Sequence, residues 1–492
     1  MRVLVVGLDG ACMDLIRRWA SEGELPAFRE LLEEGTHGRL ESVVPTQTIP
    51  AWNCLATGKN PGKIGCFGFL QKAYGSYEFR LSTAMTRREW DVWDILSEHG
   101  KRVLVLNAPN VLYAYEINGR MAAGPLYVSE DVLTYPSEFA ETLRRLGYEW
   151  DINDLRVLLA LSNREFSRRL SEVTRRQFGA FLRMLDDDWN FGFVVLSELD
   201  RAQHRFWGNE DLILRHYQNV DRCLHKLLKR LDSDTTLLIV SDHGFGPNER
   251  VFLVNEWLKR RGLLAPRREP LLTRVIAPFR EPLSKLYSLP PLRQVWIKLS
   301  LRTAGTQINW ERTKAFSYGT WGPIYINLKG REPQGVVEAS EYERLRDEII
   351  EGLRELSVTA YRREELYSGE YLHLAPDIVV QTDDYVHGIS SRIGYNKDFI
   401  RDSGGNHRKD NGTFIAWGPD IKRGFEIRAR ARIYDVAPTI LHMFGLPLPA
   451  DVDGRVLREI FEGELATRGI KYERIRESVR ERVKRLKKMK KL

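Results

Sequence analysis

The chain has 492 residues, 43% hydrophobic and 29% charged, so it is globular and long enough for a large core plus an insertion or a second domain. Its net charge of +8 says nothing about the active site, because residues 471–492 hold eleven Lys or Arg against three Glu, carry the whole excess and leave the rest neutral. No apolar run approaches the roughly 18 residues of a membrane span, the four cysteines lack metal or disulfide spacing, and a strand begins without an export leader, so the expected location is cytoplasmic with reduced core thiols.

In chain order, residues 1–10 predict a strand and a turn in which Gly7 and Gly10 let the backbone bend around Asp9, the first candidate metal ligand. Two helices follow, one bearing Leu15, Ile16 and Trp19, the other over 26–34 and ending at Gly35. Residues 45–58, Pro-Thr-Gln-Thr-Ile-Pro-Ala-Trp-Asn-Cys-Leu-Ala-Thr-Gly, predict a helix with Thr48 as N-cap, Pro50 in the first turn and Gly58 closing it. A hydroxyl at that end faces free N–H groups and the positive end of the dipole, which suits an alkoxide nucleophile and the phosphate it attacks. An isolated Thr-x-Pro is more often an ordinary cap; beside a metal cluster the balance moves to a nucleophile. Residues 90–115 predict a helix with Trp93, Ile95 and Leu96, then Gly100 and a strand over 102–106. Residues 133–186 read as strongly helical, with Leu158, Leu159, Phe166 and Leu170 at helical spacing.

Two further apolar runs end in carboxylates as 3–9 does: 193–200 runs into Asp200, with His204 four residues on, and 237–242 runs into Asp242, with His243 next. Taken singly, a strand-end Asp usually caps the next helix. Three together with two histidines point to a metal centre at the C-terminal edge of a sheet, where open α/β folds keep their sites. An Asp and His mixture suits Zn²⁺, with Mn²⁺ as the alternative. Tyr217 and Asp221, four apart on the next helix, are expected to pin the outer shell of the site.

The domain organisation follows from the rhythm. Residues 1–259 form the first part of a catalytic α/β core, and 260–313, rich in Pro and Arg, form an insertion and candidate cap. Residues 314–460 resume the core, with strands at 324–327, 377–381 and 412–417 and a helix over 341–356. Residues 461–492 form a basic C-terminal helix with Tyr472, Ile475, Val479, Val483 and Leu486 on one stripe. Its candidate partners are an anionic membrane surface, a second subunit or nucleic acid, and a solvated helix is an equal reading.

Asp9, Thr48 in Thr-x-Pro-Ala-Trp, the run Thr57-Gly58-Lys59-Asn60-Pro61-Gly62-Lys63-x-Gly65, Asp200 to His204 and Asp242-His243-Gly244 together resemble the type I phosphodiesterase/nucleotide pyrophosphatase family of the alkaline phosphatase superfamily. The resemblance implies one more His late in the chain, which Gly404-Gly405-Asn406-His407-Arg408 supplies, and it extends through Asp435-Val436-Ala437-Pro438-Thr439 and Asp451-x-Asp453-Gly454. It implies an alkaline-phosphatase-like three-layer α/β sandwich with a mostly parallel central sheet. It also implies two ions, one held by Asp200, His204 and His407, the other by Asp9, Asp242, His243 and the Thr48 oxygen, with hydrolysis through a phospho-threonine. Asn53 and Arg408 are the candidate phosphate contacts.

Thr48-Ile49-Pro50-Ala51-Trp52 has neither the Cys or Ser nor the Arg of the superfamily's sulfatases, and its threonine argues against the Ser-dependent phosphoglycerate mutases. A phosphomonoesterase or mutase on the same centre is the alternative enzyme, and a metal-containing binding protein without turnover the non-enzyme alternative. The nucleophile helix carries no Lys or Arg, while Trp52, Phe206 and Trp207 offer apolar surface for an esterifying group, so a diester is expected over a monoester. Arg205 or Arg408 turned inward would supply the missing charge.

Overall fold

Short runs of Val, Leu, Ile and Phe that are apolar on both faces belong at the centre of a sheet covered on both sides. The computed structural model describes residues 1–82, 89–125, 133–151, 161–267, 308–319, 321–382 and 387–474, and there these runs are the neighbouring parallel strands Arg2–Leu8, Phe191–Leu196 and Thr235–Val240. Their side chains alternate between two cores: Val3 and Val5 pack with Trp52 and Trp93 on one face, Leu4 and Val6 with Trp19 and Phe181 on the other. This is the expected three-layer α/β sandwich.

Ten strands make this sheet among the described residues. Beyond Phe191–Leu196 come Val103–Ala108, Gly119–Ala123 and Thr134–Tyr135; beyond Thr235–Val240 come Gly412–Trp417 and then Thr36–Glu41. The ladders are mostly parallel, but Gly412–Trp417 runs antiparallel to both neighbours. Register fixes the working edge. Gly7 lies opposite Val240 and Leu8 opposite Leu196, so Asp9, Ser197 and Ser241-Asp242 emerge level with one another.

A second layer system stands beside this edge. A four-stranded antiparallel sheet, Ala315–Ser317, Pro323–Ile326, Ile378–Thr382 and Val358–Arg362, shares an apolar core with the helix Tyr342–Arg354. Between it and the main sheet, Gly244–Leu253 pairs with His387–Ser390 and, antiparallel, with Phe399–Arg408, which returns His407 to the end of the Asp242-His243 strand.

Two expectations change. The helical stretch over 133–186 is a short strand, a helix Phe139–Arg145 and a long helix Asn163–Met184 whose Ser162 and Glu165 form a capping box; Leu158 and Leu159 lie outside the described residues. Tyr472 is not helical: Tyr472–Glu473 pairs with Leu448–Pro449, and backbone pairing overrides the helical stripe there. The rest of that stripe lies outside the described residues. So does the body of the 260–313 insertion, but its two ends meet, with the Asn309 N–H donating to the Ala265 carbonyl at 2.8 Å.

Candidate active site

The nucleophile candidate sits on the helix Thr48–Thr57, every residue of which is buried. Gln47 takes the N-cap position and Thr48 is the first helical residue, so its hydroxyl is not spent on capping. Gly58 ends the helix in the left-handed conformation with φ 69°. The next run is clamped to the late Asp451-x-Asp453-Gly454 motif: Lys59 Nζ reaches Asp451 at 2.8 Å and Glu89 at 2.6 Å, and Asp453 accepts from the Asn60 N–H at 2.7 Å and from Lys63 Nζ at 2.6 Å. Both motifs thus hold the nucleophile helix in place.

Asp200 does not end its strand. The strand stops at Leu196, and Ser197 leads into the helix Glu198–Phe206, whose acidic first turn meets the positive end of its dipole. Asp200 and His204 then share a helix face, with Oδ1 to Nε2 at 3.3 Å. His407 arrives from the hairpin, its Nε2 3.1 Å from the same Asp200 oxygen and 2.9 Å from His204 Nε2. A side chain at Gly405 would meet Phe245 at 2.4 Å and the Gln203 carbonyl at 2.7 Å, so only glycine lets the hairpin close on this helix. His243 Nε2 lies 3.3 Å from Asp242 Oδ2 and 3.5 Å from Asp9 Oδ1, and its ring stacks on that of His407 at 3.6 Å. The six predicted ligand side chains therefore converge. Two groups have ligand atoms within 4.8 Å of one another, Asp200 with His204 and His407, and Asp9 with Asp200 and His243. Asp200 takes part in both.

The proton positions decide what this cluster can hold. Nδ1 of His204, His243 and His407 lies 3.2, 3.0 and 2.9 Å from the carbonyls of Gly405, Gly244 and Thr46. A carbonyl only accepts, so each Nδ1 carries its proton and each Nε2 turns a lone pair inward. Asp9 Oδ1, Asp200 Oδ1, Asp242 Oδ2 and His243 Nε2 are buried without a hydrogen bond. Burial, then Asp242 and Asp200, push the Asp9 carboxyl well above the usual range, and burial with Asp200 does the same to Asp242. Burial opposes ionisation of Asp200 too, but positive charge at Nε2 of His204 and His407 outweighs it and holds that carboxyl well below, so this corner of the site calls for a cation there, proton or metal. Lone pairs and carboxylates crowded in this way fit divalent cations, which relieve the repulsion.

The outer shell is partly as expected. Tyr217 accepts from the Cys12 N–H at 2.9 Å and donates to Gln203 at 3.2 Å, tying the Asp9 turn to the Asp200 helix. Asp221 instead accepts from the Phe28 N–H at 2.9 Å, capping the helix Pro26–Glu34.

Above the cluster opens a cleft of about 470 Å³ lined by Thr48, Asp200, His204, His407, Trp321 and Arg392, with Asn248 and Asp402 on one wall. Both predicted phosphate contacts fall outside this lining. Asn53 donates to the Ile49 carbonyl at 2.8 Å inside its own helix, and Arg408 lies across Gly246, where a Cβ would come 1.7 Å from its Nε. Arg205 turns away as well, to Asn163 and the Leu161 carbonyl. Trp52 and Phe206 are core residues, and Trp207 packs on Phe245. The aromatic surface comes instead from Phe69 and Trp321, which the cleft shares with an adjoining cavity of about 200 Å³ lined further by Phe67, Leu70, Tyr318 and Tyr325. Trp321 had a signal in sequence, standing in Gly319-x-Trp321-Gly322; it adopts φ 71°, and its ring lies 4.6 Å from that of His407. Phe69 and Arg392 had none.

Among solved structures, human ectonucleotide pyrophosphatase/phosphodiesterase 5 shares the fold at TM-score 0.55 and 14% identity, over 94% of this chain and 100% of that one. The murine protein matches at 0.53 and 15%, over 94% and 100%. An inactive threonine-to-alanine variant of the murine protein, in complex with AMP, matches at 0.52 and 15%, over 91% and 96%. No curated protein sequence matches the chain. The family model described as type I phosphodiesterase / nucleotide pyrophosphatase matches residues 3–406. With that match spanning most of its length, the chain belongs to the type I phosphodiesterase/nucleotide pyrophosphatase family and is a metal-dependent hydrolase of phosphate esters.

Proposed function

We propose that the protein cleaves phosphodiester or pyrophosphate bonds at a two-metal centre, with Thr48 as the nucleophile and a nucleotide as the substrate. The observation that carries this reading is the convergence of three inward Nε2 lone pairs and three carboxylates beneath a cleft that Thr48 lines. Asp200, His204 and His407 would hold one ion and Asp9, Asp242, His243 and the Thr48 hydroxyl the other; the oxygen and nitrogen donor set suits Zn²⁺ first and Mn²⁺ second. Bound there, the ions would supply Lewis-acid stabilisation of the phosphoryl oxygens.

The chain's own groups do the rest. The free N–H groups in the first turn of the Thr48 helix favour an anion at its end. Thr48 Oγ attacks phosphorus; the new O–P bond forms as the bond to the departing alcohol or phosphate breaks, and that group leaves with its electron pair and takes up a proton. Water then attacks the phospho-threonine, its O–P bond forming as the Thr48 Oγ–P bond breaks, and the hydroxyl is restored. The inactive threonine-to-alanine relative in complex with AMP supports both the nucleophile and the nucleotide. A cytoplasmic location belongs to the same proposal, in keeping with four buried thiols.

The cavity walled by Phe69, Trp321 and Tyr318 gives an esterifying group an apolar seat beside the nucleophile. A higher kcat/KM is therefore expected for an aryl or nucleoside diester than for the matched monoester at equal metal loading and pH. A clear preference for the monoester would overturn the diester assignment and favour a phosphomonoesterase on the same centre.

A further inference from the structure

Two consecutive residues open onto two adjoining spaces: Thr48 lines the cleft above the metal cluster, and Gln47 lines the apolar cavity beside it. Phe69 lines both. Its backbone is held at two points. The Phe69 N–H donates to Gln47 Oε1 at 3.0 Å, and the Phe69 carbonyl accepts from the Ser82 N–H at 2.9 Å. Gln47 is only 4% exposed, so its bond to Phe69 is shielded from water. The amide also lies close against Gly68, where a Cβ would come 3.3 Å from Oε1 and 3.5 Å from Nε2.

Glutamine is not a residue that helix caps favour. Ser, Thr, Asp or Asn at the N-cap would turn a short side chain back onto the first-turn N–H groups. Gln47 makes no such bond, which leaves that end of the helix open to a phosphoryl group. Its own carbonyl instead starts the helix by accepting from the Ala51 N–H at 3.0 Å, while its carboxamide goes to Phe69. The first backbone bond of the nucleophile helix and the placement of the aromatic wall therefore meet in one residue. We propose that Gln47 is a positioning residue that couples filling of the apolar cavity to the alignment of Thr48. An apolar esterifying group seated against Phe69 fixes that wall, and through Gln47 it fixes the start of the Thr48 helix. Binding energy from a part of the substrate that does not react is then realised in the transition state and appears in kcat. This rests on the diester reading of the site.

The test uses the metal-loaded full chain with two diesters of one nucleoside monophosphate, the 4-nitrophenyl ester and the methyl ester. Wild type sets the reference ratio of kcat between them. Gln47→Leu keeps the bulk but removes the acceptor, and it should lower that ratio about 5- to 30-fold, the worth of a buried hydrogen bond whose donor is left unpaired, with Tm and bound metal as in wild type. Gln47→Glu, which keeps an oxygen for the Phe69 N–H, should restore most of it. Phe69→Ala leaves Gln47 in place and tests the same coupling even if Gln47→Leu does not fold: it should lower the ratio through kcat, and adding Gln47→Leu to it should lower the ratio no further. A ratio unchanged within about twofold, equal losses on both esters, or a loss confined to KM would overturn the coupling, the last because Phe69 would then only bind. Failure of the underlying reading looks different: metal-loaded wild type would turn over neither diester.

Discussion

Replacing Thr48 with alanine should remove nearly all hydrolysis, on the order of 10³- to 10⁶-fold in kcat by analogy with loss of other enzymatic nucleophiles, while the protein still folds and binds its metals. Thr48 sits at the first position of a helix whose burial comes from Ile49, Trp52, Leu55 and their neighbours, and its hydroxyl caps nothing, so deleting it leaves the packing of that helix intact. The six Asp and His side chains come from other segments, and Nδ1 of His204, His243 and His407 stay anchored on the carbonyls of Gly405, Gly244 and Thr46. Steady-state rates together with metal content by mass spectrometry check both halves. Rates near wild type would mean that water attacks the phosphorus directly.

The second large effect is on metal content. His204→Ala should lower bound metal from about two ions per chain toward one and reduce turnover at least about 100-fold, more than the loss typical of an outer-shell partner. The choice of residue matters. Asp200 holds one ion in this assignment but also lies within 4.8 Å of the Asp9 and His243 ligand atoms, so its loss should remove one ion and weaken the other, whereas His204 belongs to one group alone. Asp200→Asn is thus the internal contrast, and retention of both ions with full activity in His204→Ala would remove the ligand assignment.

Much of this site is legible in the chain because its ligands obey strong local patterns. Apolar runs on both faces become central strands, and register alone delivers the residues after them to one edge of the sheet, as with Asp9 and Asp242. Asp200 shows the limit of that reading: the acidic turn after Ser197 begins a helix at once, and the i,i+4 pair with His204 exists only because it does. His407 is reached through family resemblance, since a hairpin from across the chain has no local signature. Asn53 and Arg408 look like phosphate contacts when only sequence proximity to the nucleophile and a ligand is visible, but the first turns into its own helix and the second covers a glycine. Phe69 and Arg392 reach the cleft through tertiary packing of segments whose local sequence is ordinary, so the specificity wall could not be read in advance. Tyr472 fails for the opposite reason: a clear helical period gives way to strand pairing with Leu448–Pro449.

The central claim is that Thr48, and not water, attacks phosphorus first, and the stereochemistry at phosphorus tests it most directly. Each in-line displacement inverts the configuration, so attack by Thr48 followed by attack of water on the phospho-threonine gives two inversions. A phosphorothioate diester chiral at phosphorus, hydrolysed by the metal-loaded protein in ¹⁸O-water, should yield product with overall retention of configuration. Overall inversion would show a single displacement by water and contradict the assignment of Thr48 as the nucleophile.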